Sequence, residues 1–107
     1  MTTIYRHAVV NFKKNPKKIF FYNLKHKLSG SDCLALVLEI IQFLKKNKIN
    51  TIGISSKNTI YWPLWYLAAD ACCKDLFIIN SLFEDQLVDK LQRNYRIQYI
   101  AKNLDNL

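Results

Sequence analysis

Cys33, Cys72 and Cys73 are the only thiols in the sequence, and their spacing decides most of what they can do. Two cysteines grip one zinc ion when about two residues separate them, so the adjacent pair Cys72-Cys73 predicts no structural metal site. A reactive thiol needs a base or a positive neighbour to hold the thiolate, and no pattern fixes one beside any of the three. They read as small buried packing residues in a reducing compartment. His7 and His26 lie far apart without an acidic neighbour to orient either, so nucleophilic catalysis of the Ser/His/Asp or Cys/His kind has no local support. Both read as surface histidines. The residues themselves assign no catalytic residue, no cofactor-binding residue and no metal ligand.

A phosphate-binding loop needs glycines so that backbone N–H groups can approach the anion at a helix start. The turn in question is Ser55-Ser56-Lys57-Asn58, which has no glycine and fits neither GxGxxG nor GxxxxGK[ST]. It reads as helix-capping chemistry, with anion binding as the alternative. Tyr61, Trp62, Trp65 and Tyr66 form two pairs four residues apart, hence two adjacent stripes on one helix. They suit base stacking near Lys57, or equally helix packing or an interface with a larger partner.

Sixteen Lys and Arg against eight Asp and Glu leave a formal net charge of +8, unevenly placed. Residues 1–57 carry eleven basic and two acidic side chains, whereas residues 58–107 carry five and six. Such asymmetry fits an anionic partner such as nucleic acid or a membrane surface. The abundance of Lys, Ile and Asn fits an AT-rich coding bias as well.

The elements that must position these groups follow from periodicity. Residues 1–18 read as a lead-in segment ending in a loop, because Asn15-Pro16 sits among Lys13, Lys14, Lys17 and Lys18 and proline disfavours helix before it. Ile19–Tyr22 and His26–Leu28 read as a small hairpin. Ser29 to Asp32 supplies capping groups for a helix running to about Asn47, with Leu34, Val37, Leu38, Ile41 and Leu44 on one face and a stripe wide enough to be covered on most sides. Asn50–Ser56 is a buried strand. A helix over roughly Thr59–Lys74 follows, capped by Asn58 or Thr59, with Pro63 in its first turn. Asp75–Asn80, Glu84–Asn94 and Gln98–Ala101 complete strand, helix and strand. That order predicts right-handed βαβ units: a three-layer α/β fold with a mostly parallel sheet, flanking helices and a small N-terminal hairpin.

A length of 107 residues with 50% hydrophobic composition suits a single α/β domain over residues 19–107 behind the lead-in, not a disordered chain. The longest apolar stretch, Cys33 to Leu44, is too short to span a bilayer, and the N-terminus lacks a secretory pattern, so the expected location is cytoplasmic.

With the elements placed, residues 16–102 resemble the N-terminal region of the adenylate-forming, AMP-binding superfamily of acyl-CoA synthetases, nonribosomal-peptide adenylation domains and luciferases. Ile19 through Ser29 looks like its early hairpin before a "TYxEL"-like helix start. Lys45 through Ile54 occupies the place of "LxxxGVxxGDxVAI", and Ser56 through Trp62 is similar to "xxNSxEW". Leu67–Ala71 resembles the "LAxxxAG" helix end, Leu76–Asn80 the "AxxxPLN" strand, and Glu84–Leu91 the "xxEELxxxL" helix. Asn50-Thr51 replaces the family's "GD", and Cys72-Cys73 stands where it usually has glycine.

The resemblance implies an incomplete N-terminal subdomain. The family's ATP-gripping Ser/Thr/Gly-rich loop and its adenine, ribose and C-terminal lysine motifs lie downstream of the matched region, so none of its catalytic residues maps onto this sequence. ATP and magnesium are thereby implied for the parent enzyme and carboxylate activation for the whole, with this chain inactive alone. The implied partners are the remainder of a split ligase, or a second copy through an apolar face around Trp62, Trp65 and Tyr66. The alternative is a small basic α/β module using Lys13, Lys14, Lys17, Lys18, Lys25 and Lys27 against nucleic acid or an anionic surface.

Overall fold

A computed structural model of the chain describes residues 3–55, 60–72, 75–79 and 83–101. Its elements run α1 (Thr3–Lys14), β1 (Ile19–Tyr22), β2 (Lys27–Ser29), α2 (Gly30–Lys46), β3 (Thr51–Ile54), α3 (Trp62–Ala71), β4 (Asp75–Ile78), α4 (Asp85–Asn94) and β5 (Tyr99–Ala101). β1 and β2 pair antiparallel, and a parallel sheet has the order β4-β3-β5. The three-layer α/β expectation, with a parallel sheet between helices and a separate hairpin, is the fold observed.

The alternation along β3 explains the two outer layers. Ile52 and Ile54 point into a core shared with α1, α2 and α3. Gly53 points the opposite way, where an added Cβ would meet Ile79, Ile97 and Ile100 at 3.1–3.5 Å. Those three isoleucines pack with Val88 and Leu91 of α4. One face of the sheet therefore carries three helices and the other carries one.

α1 is the principal departure from expectation. The lead-in is helical because Tyr5, Ala8 and Phe12 recur at three- and four-residue spacing and pack against the main core. Phe12 is buried and meets Phe20 edge-on at 5.0 Å. The Asn15-Pro16 loop stands as expected: it ends α1, and its carbonyl neighbours turn back onto α2.

Gly30 explains that return. A Cβ there would lie 2.3 Å from the Asn15 carbonyl oxygen and 2.7 Å from that of Phe12, so only glycine lets α1 end against the start of α2. α2 opens with a capping box, Asp32 N–H donating to Ser29 Oγ at 3.2 Å and Ser29 N–H to Asp32 Oδ2 at 3.0 Å. Its buried stripe is narrower than the sequence suggests, running through Cys33, Val37, Ile40 and Leu44 while Ala35 and Leu38 face solvent. Leu44 and Val37 are on the expected face. Leu38 is exposed because no element among the described residues covers that side.

The two helix-to-strand turns share one device. Lys48 and Arg96 take positive φ of 53° and 54°. Ile49 N–H then donates to Leu44 O and Lys48 N–H to Lys45 O; Ile97 N–H donates to Gln92 O and Arg96 N–H to Arg93 O. Both are Schellman caps built without glycine, and each drops an isoleucine into a core. α3 begins at Trp62 with Tyr61 at the N-cap and no side-chain capping bond; the caps expected from the sequence, Asn58 and Thr59, lie outside the described residues.

Candidate functional site

Most of the groups singled out in the sequence lie among the described residues. Cys33 is fully buried, and burial, reinforced by the Asp32 carboxylate, pushes its thiol up to about 11. A thiol so held is protonated at neutral pH and is a poor nucleophile. Cys72 is half-buried at the C-cap of α3, and Cys73 lies outside the described residues. His7 and His26 are exposed on α1 and in the β1–β2 turn, and the His26 ring sits edge-on to Tyr61 at 6.1 Å. Among the described residues no group of His, Cys, Asp and Glu is arranged to hold a metal ion. No helix there is long and apolar enough to cross a membrane.

Free N–H groups at a helix start can hold an anion. At α2 they are occupied: Gly30 N–H donates to Lys18 O, Ser31 N–H to Pro16 O and Asp32 N–H to Ser29 Oγ. At α3, Leu64 and Trp65 N–H both donate to Tyr61 O. Ser55 N–H, at the end of β3, is taken by Ala101 O, and residues 56–59 lie outside the described set. Gly30 and Gly53 are both held in packed positions and cradle nothing. At the starts of α2 and α3 these N–H groups are engaged within the fold, and neither glycine is open to a phosphate.

The aromatic cluster divides in two. Trp65 turns inward, stacked on Tyr99 with rings 6.1 Å apart and 16° from parallel, with Phe43 edge-on to both. Its indole Nε1 is buried and finds no acceptor among the described residues, which costs about 1–3 kcal/mol. Trp62 and Tyr66 turn outward, each 36% exposed and edge-on to one another at 6.4 Å.

The outward pair walls a groove of about 390 Å³ whose lining includes Phe12, Phe20, Phe21, Trp62, Tyr66 and Leu67. Ala8 and Asn11 give it the side belonging to α1. Neighbouring strand residues normally face opposite ways. Here the pairing of β1 with β2 shifts register between Ile19 and Phe21, and both Phe20 and Phe21 reach the groove. Asp70 of α3 locks the wall in place by accepting the Tyr5 N–H of the first turn of α1 at 3.1 Å. Lys18 lies beside this lining, its Nζ 5.4 Å from the ring centre of Phe20. The sequence pointed to Trp62 and Tyr66 but missed the α1 half. The signal was the spacing of Tyr5, Ala8 and Phe12, hidden by the lysines that follow.

No protein-family model and no curated protein matches this sequence. Solved structures do. The chain superimposes on the N-terminal subdomain of NpsA from Klebsiella oxytoca, solved with 3-hydroxyanthranilyl-AMSN, at a TM-score of 0.74 and 12% identity, covering 94% of this chain and 26% of that one. An artificially fused adenylation–PCP di-domain, NpsA-ThdA, gives 0.75 at 10% identity, covering 92% and 20%. O-succinylbenzoate coenzyme A synthetase, MenE, from Bacillus subtilis in complex with AMP gives 0.73 at 9% identity, covering 89% and 26%. The fold is that of the N-terminal subdomain of adenylate-forming enzymes, and the superfamily resemblance read from the sequence holds at the level of the fold. The chain spans roughly a fifth to a quarter of the length of these structures.

Proposed function

We propose that this chain is a truncated or split N-terminal subdomain of an acyl-adenylate-forming ligase, cytoplasmic and without catalytic motifs of its own, which works beside a companion polypeptide. One observation carries this reading: 94% of the chain superimposes on 26% of an adenylation enzyme's N-terminal subdomain. The occupied starts of α2 and α3 and the packed glycines fit the same reading, in which ATP and magnesium are held by the companion. The subdomain contributes a folded platform, and the joined protein would couple a carboxylic acid to AMP with release of pyrophosphate.

The test begins with the coding DNA downstream of Leu107, translated in three frames for a Thr/Ser/Gly-rich loop ending in Lys. The encoded polypeptide and this chain are then assayed separately and mixed, by ATP–pyrophosphate exchange across a panel of carboxylic acids. Exchange in the mixture alone supports the reading. Exchange by this chain alone overturns it.

A further inference from the structure

The groove between α1, β1 and α3 leaves two aromatic side chains, Trp62 and Tyr66, at the surface of a protein that buries its neighbouring Trp65. Its flanks are basic. α1 contains no acidic residue, and Lys14 lies three positions after Asn11, hence on the same flank of the helix. Lys18 stands over Phe20, one of the groove's lining residues. The acid on this side of α3, Asp70, is bound to the Tyr5 N–H. Over positions 1–57 as a whole, basic residues outnumber acidic ones eleven to two.

This charge selects among occupants. Two copies of a chain carrying a net charge of +8 repel one another, and basic rims facing each other would bring that repulsion to the contact itself. A partner with apolar side chains set among carboxylates is attracted instead, and it fills the groove with the part that water hydrates least well. We propose that this groove docks an acidic amphipathic helix of the companion polypeptide, its Leu or Phe side chains seated between Phe21, Trp62 and Tyr66 and its carboxylates meeting Lys14 and Lys18. This deepens the ligase reading by naming the surface the companion uses, and it rests on a companion existing.

The probe is a fluorescein-labelled synthetic helix with Leu and Phe at i, i+3, i+4 and i+7 and Glu elsewhere, titrated with the full chain by anisotropy. A matched peptide with Lys in place of Glu is the control. The acidic peptide is expected to bind, at least tenfold more weakly to Tyr66→Ala and to Lys18→Glu, and within twofold of the parent to Lys90→Glu on the far α4 helix. Lys18 is exposed, so its variant does not depend on repacking, and circular dichroism checks that Tyr66→Ala folds. Equal affinity for both peptides, or indifference to the two groove variants, overturns the proposal. So does preferential binding of phosphatidylglycerol vesicles or single-stranded DNA through the same residues. In the pyrophosphate-exchange mixture, activity undiminished by Tyr66→Ala removes the groove and keeps the ligase; peptide binding without exchange by any mixture does the reverse.

Discussion

The two faces of the parallel sheet are finished to very different degrees. On one side α1, α2 and α3 enclose a continuous core in which Leu44, Ile52, Leu64, Val37 and Cys33 lose essentially all contact with water. On the other, α4 has a single buried residue, Val88, which packs with Ile79 and Ile97. Leu87 of α4 is 41% exposed, and Ile78 at the sheet edge is 71% exposed. Close packing, more than strand pairing, sets local stability, so a β-strand can be well formed on one face and weakly held on the other. The well-packed face is also the one that carries the groove, which gives a docking surface a rigid backing.

The largest expected effect breaks the packed face. Leu64→Ala opens a cavity in a sealed core and should cost about 3 kcal/mol, read as a lowered denaturation midpoint of the whole domain. Val88→Ala removes two methylene equivalents from the thin face and should cost about 1.5 kcal/mol. Its signature should be local, with amide hydrogen exchange accelerated in α4 while α2 keeps its protection. Equal global loss from both substitutions would show that the two faces fold as one unit of uniform stability.

Cys33 probes the sealed face by pH. Its folded thiol is held at about 11, above its ordinary value of 9.0, so the folded state keeps a proton that the unfolded chain releases first. The stabilisation is complete below pH 9.0 and is lost as pH rises toward 11. Denaturation midpoints should fall across that window, and more steeply than in Cys33→Ala. In the native protein at pH 8, iodoacetamide should modify Cys33 only as fast as the domain opens. The smallest effect concerns the turn behind α4. Arg96→Gly relieves a left-handed residue at the Schellman position and should stabilise by about 0.5–1 kcal/mol, glycine's greater freedom when unfolded offsetting part of the gain. A destabilisation would mean that the Arg96 side chain holds α4 in place.

Much of the fold was legible because its signals are local. The run Leu76-Phe77-Ile78, the stripe through Val37 and Leu44, and Pro63 in a first turn are each decided within a few residues of themselves, and they give the βαβ order. Helix ends were less legible, since both Schellman turns use Lys48 and Arg96 where glycine is the usual marker. The groove was half legible: the four-residue spacing of Trp62 and Tyr66 announced an outer stripe, but its opposite wall belongs to a segment read as a lead-in.

Sequence alone determined the alternation of strands and helices, the absence of glycine from the Ser55–Asn58 turn and the concentration of positive charge in positions 1–57, because these are properties of neighbours along the chain. Tertiary structure decided which aromatic faces water, that α1 is anchored through Asp70 across 65 positions, and that Gln98 accepts the Thr51 N–H across 47. Those outcomes depend on which distant surfaces exclude water together, and a free energy of burial belongs to the pair of surfaces, not to either sequence segment.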